Sequence, residues 1–340
     1  MHPLRRTSIA IAMSALLIQA CGGGGGGGGT EGPSAGALAQ GVSNEADAPT
    51  ANTLPSNPAA AGPGGTPVSA AVPGAVYDDT EIGRLRLATF DAINAIRVAS
   101  GSGALRQSRI LDAAAQGHAA YGAANPDQAL SDAQTVGRPA FTGATPRDRA
   151  AGYAADPVLG HGIVDRPPAG ANCADVVRAL PFVSTFLWPA DDLGVGVHAF
   201  DDPNGGRRVH RCILVTGTPD WSSVQLPVAG DAAVFPAPGA TLSLSNPAIA
   251  PSRLVAVSTY NRAARATAAA DVVVSRFELQ AGAGAPIALN PSSLPVPLPP
   301  GIVVGAYSTP LTAGTTYTVR FEATVRGVPL TKTWTFSVVP

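Results

Sequence analysis

The chain has little charge and almost no lysine. Charged residues make up 13% of its 340 positions, the net charge is −1, and Lys332 is the only lysine. Arginine therefore supplies nearly all of the positive charge, and no stretch gathers it into a basic stripe. Proteins that bind nucleic acid usually carry such a stripe, so nucleic acid is not an expected partner.

Long apolar runs and the signatures of common enzyme classes are also missing. Beyond the N-terminus, no apolar run reaches the roughly 20 residues that span a bilayer. The sequence contains no GxSxG, HExxH, P-loop or GxGxxG pattern. Gly194 and Gly196 alternate with apolar residues as in a strand, which is not a nucleotide fingerprint. We therefore expect no cofactor and no bound metal.

Cysteine is scarce as well, and the first of the three cysteines, Cys21, lies at an informative position. Residues 1–20 combine a basic start with a short apolar run, which is the layout of a secretory signal peptide. The ending Ile18-Gln19-Ala20-Cys21 resembles a lipoprotein signal, and we expect Cys21 to carry a lipid. The alternative is an ordinary signal peptide that is cut near Ala20.

The segment that follows, residues 21–76, is rich in Gly, Ala, Pro, Ser and Thr and starts with a glycine run, Gly22–Gly29. It has few large apolar side chains to bury, so we expect a disordered linker. A flexible coil of this length holds its ends on the order of 40 Å apart. We therefore expect an exported, membrane-anchored lipoprotein of the bacterial cell envelope. The outer membrane is favoured because Gly22, directly after Cys21, is not an acidic retention signal of the sort known in bacterial lipoproteins. Without the anchor, we expect a secreted protein.

Cys173 and Cys212 remain as a pair in an oxidising, exported compartment, and we expect a disulfide between them. It would close a loop of about 40 residues and contribute roughly 3 to 4 kcal/mol on the chain-entropy model. The alternative is two buried thiols, because free cysteine is often a core residue.

The chain beyond the linker is long enough for two domains, and the first, residues 77–227, begins with helical patterns. Asp79-Thr80-Glu81 predicts a helix start, with an acid or hydroxyl N-cap before an apolar period, and Gly101 and Gly103 are expected to end that helix. A second helix is expected over residues 109–123, with His118 on its apolar face.

Residues 193–216 predict a β-hairpin around a turn rich in Asp, Pro, Asn and Gly. Its register decides whether two histidines meet. If Asp201 pairs with Arg207, His198 and His210 lie opposite each other on one face of the sheet. A slip of one residue places them on opposite faces, and the turn leaves both registers open.

Several segments of the first domain carry a resemblance to a known family: residues 93–97 with 101–105, 111–125, 137–153 and 193–197. The most specific of them reads GRPAFTGATPRDRAAGY. Over residues 82–220 the chain resembles the CAP superfamily of cysteine-rich secretory proteins, antigen five and pathogenesis-related proteins, and it is most similar to bacterial envelope members. The resemblance implies an α-β-α sandwich with a cleft lined by His and Glu side chains.

The cleft residues differ from the pattern of that family. Asp132, in the segment Leu130-Ser131-Asp132, stands where bacterial relatives have a His, and His161 stands where they have a Glu. Val183 aligns with a second family His, and the core-facing His118 is a further cleft candidate. The resemblance therefore implies a degenerate cleft in which an Asp-His pair could still orient a water or bind a divalent ion.

Residues 228–340 predict a second domain built of strands. Apolar and polar side chains alternate over residues 317–325, and after a turn at Arg326-Gly327 the alternation resumes over residues 334–338. Such alternation gives one apolar and one polar face, as in a β-sandwich. The stretch Pro310–Val319 resembles the penultimate strand of bacterial Ig-like modules, which generally act as spacers or adhesive platforms.

These patterns predict an α+β protein: a CAP-like α-β-α sandwich followed by an all-β Ig-like sandwich, after a disordered N-terminal linker. We expect a membrane-tethered, non-catalytic binding or structural module that contacts glycan, lipid or another envelope protein. The alternatives are a groove that binds lipid and an envelope hydrolase that uses Asp132 and His161, with or without a metal. The hydrolase requires the Asp132 carboxylate and the His161 imidazole within hydrogen-bond or common-ligand reach.

Overall fold

The computed structural model describes residues 75–154, 158–167, 171–179, 189–202, 207–218, 226–228, 230–243, 254–260, 272–291, 301–307 and 309–340. The expected signal peptide, Cys21, nearly all of the expected linker and Val183 lie outside these residues. Within the described residues, no helix has both the length and the apolar character to cross a membrane.

The described chain contains both helices and several sheets, which makes the protein α+β. We call residues 75–218 the α/β region and residues 226–340 the β region. The helices are α1 (Glu81–Ser100), α2 (Arg109–Ala124), α3 (Pro146–Arg149) and α4 (Cys173–Ala179), with a 3-10 turn at Pro126–Gln128. The strands of the α/β region are β1 (Arg106–Gln107), β2 (Val158–Asp165), β3 (Asp192–Asp201) and β4 (Arg208–Thr218). The strands of the β region are β5 (Ala233–Phe235), β6 (Thr241–Ser243), β7 (Leu254–Ser258), β8 (Val272–Ala281), β9 (Ile287–Ala288), β10 (Ile302–Ala306), β11 (Thr316–Val325) and β12 (Val328–Val339).

The ends of the first two helices follow from their capping residues. The Thr80 hydroxyl accepts a hydrogen bond from the backbone N–H of Gly83 (3.0 Å) at the start of α1. Gly101 ends this helix in the left-handed conformation, with φ 88°. Ser108 caps α2 in the same way as Thr80 caps α1. These contacts satisfy backbone groups that helix ends leave unpaired, and both expected helices are confirmed.

The end of the expected linker is attached to the α/β region. Val76 donates from its backbone N–H to the side-chain oxygen of Gln107 (2.7 Å) and accepts from the amide nitrogen of the same side chain (3.1 Å). Ala75 beside it is buried. Of the residues that we expected to be disordered, Ala75 is thus buried and Val76 is hydrogen-bonded to the folded chain.

Four strands of the α/β region form a sheet in the order β1-β3-β4-β2. Helix α2 packs on one face of this sheet, directly over Gly194 and Gly196 of β3. A Cβ atom at Gly194 would overlap the backbone of Leu111, and one at Gly196 would overlap the backbone of Ala115. The alternating glycines of β3 therefore allow a helix to approach the sheet closely.

The opposite face of the same sheet packs against α1 and α4. Leu193 and Leu214 from this face belong to one cluster of buried apolar residues with Ile93 of α1. A disulfide joins Cys173 of α4 to Cys212 of β4, with Cα atoms 6.2 Å apart. The expected pairing of these two cysteines is confirmed.

Side chains cover the part of the β3 edge that β1 does not reach. The carboxamide of Gln116 accepts from the N–H of Val197 (3.0 Å) and donates to its carbonyl (2.9 Å). At Val195, the carboxylate of Asp112 accepts from the N–H (2.8 Å) and the guanidinium of Arg86 donates to the carbonyl (2.6 Å). This edge is therefore closed to pairing with another chain.

The β region contains a three-stranded sheet, β10-β7-β5, and a five-stranded sheet, β6-β12-β11-β8-β9. Strand β11 alternates buried side chains such as Val319 and Phe321 with exposed ones such as Arg320 and Thr324. Strand β12 pairs with it after a turn in which Arg326 and Gly327 both have positive φ. The expected final hairpin and its turn are confirmed.

One cluster of buried apolar residues runs through both regions. It contains Phe90 of α1 together with Val234 of β5, Val257 of β7 and Val319 of β11. The described residues all belong to the same compact unit of the chain. The two regions thus share a hydrophobic core.

Candidate functional site

Three side chains from separate parts of the sequence meet near β2, the edge strand of the α/β sheet. His118 lies on α2, His161 on β2, and Asp132 in the loop after the 3-10 turn. Their potential ligand atoms all lie within 4.8 Å of one another. We call these three residues the His-Asp cluster. All of them are cleft candidates predicted from the sequence, and the structure brings them together.

Asp132 and His161 are in direct contact. The Nδ1 atom of His161 lies 2.6 Å from Oδ1 of Asp132, so the imidazole donates to the carboxylate. The His161 side chain is only 4% exposed and that of Asp132 11%. The distance meets the geometric condition for the hydrolase alternative, while the burial restricts access to the imidazole.

His118 packs against this pair as a neutral ring. The ring centroids of His118 and His161 lie 5.1 Å apart, tilted by 54°. Burial lowers the pKa of His118 to about 2, and the nearby charges of His161, Arg149 and Arg211 act in the same direction. A hydrogen bond to the backbone of Ser131 opposes this shift without reversing it. His118 therefore stays uncharged throughout the physiological pH range.

Arg149 holds the loop that carries Asp132. Its guanidinium donates to the backbone carbonyl of Asp132 (2.8 Å) and to that of Gly143 (3.1 Å). Burial lowers the pKa of Arg149 to about 10, and the Asp132 carboxylate opposes this shift. A capping box formed by Thr145 and Asp148 starts the short helix α3, which ends at Arg149. Residues 143–149 therefore fix the position of Asp132.

Gln134 is a member of the site that sequence reasoning did not find. Its side-chain oxygen accepts from the backbone N–H of Thr142 (2.8 Å), and its amide nitrogen lies 3.0 Å from Nδ1 of His118. Its backbone N–H also donates to the carbonyl of Ala144 (2.9 Å). Gln134 lies two residues after Asp132 in a loop with no helical or strand periodicity, so no local pattern marks it.

A buried ion pair lies on the same face of the sheet as His161. Nη2 of Arg211, on β4, is 2.7 Å from Oδ1 of Asp165, on β2. The Arg211 side chain is 1% exposed, and burial lowers its pKa. Gly122 of α2 lies directly over the guanidinium, and a side chain there would overlap it. Arg211 therefore fills the space beneath the end of α2.

The other predicted site residues do not join the cluster. In the β3–β4 hairpin, His198 pairs with Arg211 and Ala199 pairs with His210, so the two histidines lie on opposite faces of the sheet. The register with a slip of one residue is therefore the correct one, and these histidines cannot share a ligand. Val183 lies outside the described residues.

The His-Asp cluster offers two kinds of chemistry. An imidazole whose Nδ1–H is held by a carboxylate is oriented to exchange a proton at Nε2. Two imidazoles and a carboxylate also form a donor set that suits a divalent transition metal. Each requires an Nε2 atom that a substrate or an ion can reach.

Comparison with protein-family models finds no match to this chain. A comparison with curated proteins likewise finds no relative.

Proposed function

We propose that this chain is an exported protein of the cell envelope, anchored to its membrane by a lipid on Cys21. Its α/β region acts as a non-catalytic binding or structural module that contacts glycan, lipid or another envelope protein. In this proposal residues 77–227 form a CAP-like domain with a degenerate cleft. Residues 228–340 form an Ig-like sandwich that serves as a spacer or adhesive platform.

The order of the layers supports the CAP-like assignment. One four-stranded sheet lies between α2 on one face and α1 with α4 on the other, which is the α-β-α arrangement that the resemblance implies. The Ig-like assignment draws on two sheets with buried apolar side chains and on the alternating final hairpin. Both assignments extend the α+β architecture by analogy.

The burial of His161 is the observation that carries the non-catalytic proposal. A general base has to come within about 3 Å of the proton that it removes. The Nε2 atom of His161 is buried, and the Nδ1 atom is bonded to Asp132. Nε2 of His161 is therefore not in contact with solvent. The cluster therefore serves to hold α2, β2 and the Asp132 loop together.

A comparison of the purified chain with a His161→Gln variant tests this proposal. Both proteins are incubated with chromogenic ester and amide substrates and with isolated peptidoglycan, and product is measured over time. We expect no difference in turnover between them, and a lower unfolding temperature for the variant because a buried hydrogen bond is lost. Turnover that depends on His161 would contradict the non-catalytic proposal.

The second candidate function is the envelope hydrolase. The 2.6 Å contact between Nδ1 of His161 and Oδ1 of Asp132 favours it, because this contact orients the ring as in other Asp-His pairs. An Asp132→Asn variant distinguishes the two functions. In a hydrolase it loses most of its turnover at unchanged fold, whereas in a binding module it changes stability alone.

The lipid anchor has a separate test. Cells that express the full chain or a Cys21→Ser variant are labelled with radioactive palmitate. We expect label on the wild-type protein only. Equal labelling of both proteins, or no label on either, would contradict the anchor and leave the proposal for the α/β region unaffected.

A further inference from the structure

The donor set of the His-Asp cluster matches that of a transition-metal site, but the residues around it do not. His118, Asp132 and His161 place their potential ligand atoms within 4.8 Å of one another. A histidine that binds a metal through one nitrogen usually donates its other N–H to a carboxylate, a carbonyl or water. The hydrogen-bond partner of one nitrogen of an imidazole therefore shows whether the other nitrogen lacks a proton and can bind a metal.

The orientation of the Gln134 amide is fixed by the backbone. The N–H of Thr142 can only donate, and it lies 2.8 Å from Oε1 of Gln134. The other end of the amide, Nε2, therefore faces Nδ1 of His118 at 3.0 Å. An amide NH₂ group donates hydrogen bonds and does not accept them. This contact requires Nδ1 of His118 to be an acceptor, without a proton.

The remaining proton of His118 is consequently on Nε2. A hydrogen bond with the backbone of Ser131 favours the protonated form of the ring, and with Nδ1 accepting from Gln134, the Nε2–H is the donor that remains for it. Nδ1 of His118 is thus engaged as the acceptor of the Gln134 amide, and Nε2 carries the proton. A metal at Nε2 would require the proton to move to Nδ1, where it would face the NH₂ group of Gln134.

His161 has the opposite arrangement. Its Nδ1 lies 2.6 Å from the Asp132 carboxylate, which is an acceptor and the partner that a metal-binding histidine needs. One histidine of the cluster is therefore prepared for a metal and the other is prevented from binding one. The difference depends on one amide nitrogen, Nε2 of Gln134.

We infer that Gln134 is the residue that determines whether this cluster binds a transition-metal ion: its amide holds the His118 proton on Nε2 and thereby excludes His118 from coordination. A carboxylate at the same position would accept from Nδ1–H instead. It would keep the hydrogen bond from Thr142 through its other oxygen, because Glu and Gln have the same shape. Nε2 of His118 would then be available to an ion together with His161 and Asp132. This inference does not depend on the proposed function.

The decisive experiment measures metal binding by the purified chain and a Gln134→Glu variant. Zn²⁺ affinity is measured by calorimetry, and Co²⁺ coordination is followed by visible absorption. We expect the variant to bind Zn²⁺ at least about 10-fold more tightly than the wild type, which is the lower end of the effect of such outer partners. We also expect it to acquire the absorption bands of nitrogen-coordinated Co²⁺.

Two control variants separate this effect from a general gain of negative charge. Gln280→Glu adds a carboxylate on β8, outside the cluster, and should leave the Zn²⁺ affinity unchanged. The double variant Gln134→Glu/His118→Gln should lose the affinity gained by Gln134→Glu. An unchanged Zn²⁺ affinity in folded Gln134→Glu, or a gain that persists without His118, would overturn the inference.

A direct measurement on the wild-type protein remains decisive if the variant fails to fold. Long-range ¹H–¹⁵N correlation spectra of the imidazole rings report which nitrogen of each histidine carries the proton. We expect the Nε2–H form for His118 and a protonated Nδ1 for His161. An Nδ1–H form of His118 would overturn the inference without any variant.

Discussion

The two regions of this protein share a hydrophobic core but are stabilised in different ways. Among the described residues of the β region, the buried polar side chains are Ser258 and Thr259, and neither carries a charge. The α/β region buries arginine, aspartate and histidine side chains in addition to neutral polar ones: Arg97, Asp112, His118, Arg149, His161, Asp191, Asp192 and Arg211.

The difference follows from how each region covers its sheets and pairs the backbone groups around them. In the β region, strands such as β11 and β12 alternate apolar and polar residues, and one apolar face is sufficient to form a core. In the α/β region, irregular loops lie next to the sheet and one edge of β3 is only partly paired, and these backbone groups need partners. Charged and amide side chains such as Arg86, Arg149 and Gln116 supply those partners. The α/β region should therefore be more sensitive to single polar substitutions and to pH.

The largest effect is expected from breaking the buried ion pair between Arg211 and Asp165. Replacing Asp165 with Ala leaves the Arg211 guanidinium, 1% exposed, without its counter-ion, and should reduce the free energy of unfolding by about 3 to 5 kcal/mol. The matched change in the β region is Glu278→Ala, whose partner Arg276 is 45% exposed. That change should cost at most about 1 kcal/mol. Urea unfolding of both variants measures the two losses of free energy. Similar losses would contradict the expected difference between the regions.

A core truncation in the β region should cost nearly as much but should not depend on pH. Leu279 of β8 is 2% exposed, and Leu279→Ala should lower the free energy of unfolding by about 2 to 4 kcal/mol through lost burial and the cavity that remains. Because the removed atoms carry no charge, the loss should be the same at pH 7 and pH 5. Paired urea titrations at the two pH values test this, and a loss that changes with pH would contradict it.

Acid should destabilise the protein through His118. Its pKa falls from 6.5 in the unfolded chain to about 2 in the folded one. Below pH 6.5 the unfolded state therefore binds more protons, and the free energy of unfolding decreases as the pH decreases. Between pH 7 and pH 5 this group alone should cost roughly 2 kcal/mol. His198 and His210 also have lowered pKa values and act in the same direction. The difference between the pH profiles of the wild type and a His118→Gln variant isolates the contribution of His118, and parallel profiles would refute it.

The smallest effect concerns the covered edge of β3. Gln116→Ala removes the two hydrogen bonds that close the backbone of Val197, and it should cost about 1 to 2 kcal/mol because those groups are only partly rehydrated. In the β region, Gln280 makes an exposed hydrogen bond to Gly284, and Gln280→Ala should change stability by less than about 0.5 kcal/mol. Thermal unfolding of the two variants compares them directly. Equal shifts in unfolding temperature would mean that the Gln116 side chain at the β3 edge adds no more stability than an exposed hydrogen bond.

Several features of the fold could be predicted from the sequence because they depend on neighbours along the chain. Thr80 and Gly101 mark the ends of α1 through contacts within one helical turn. The alternation of β11 and β12 and the turn at Arg326-Gly327 predict the final hairpin in the same local way. The Cys173–Cys212 bridge was predictable from the small number of cysteines and the expected compartment.

The candidate site could be predicted only in part. The CAP-like pattern expected from the sequence predicted Asp132 and His161 as cleft residues, and helical spacing predicted that His118 lies toward the core. Gln134 has no such signal, although it determines the proton position on His118. Its partner His118 is 16 residues away in sequence, and the contact exists only because the loop after the 3-10 turn folds back over α2.

The sequence by itself determined α1, α2, the β3–β4 and β11–β12 hairpins and their apolar faces, because side-chain periodicity, caps and turns act over a few neighbouring residues. Only the tertiary structure decided which histidines meet. The register of β3 and β4 separates His198 from His210 by a shift of one residue, and the packing of α2 on the sheet brings His118 to His161. The physical reason is that a hydrogen-bond partner or a counter-ion is selected by distance and direction in space, and these are set only after the helices and strands have packed.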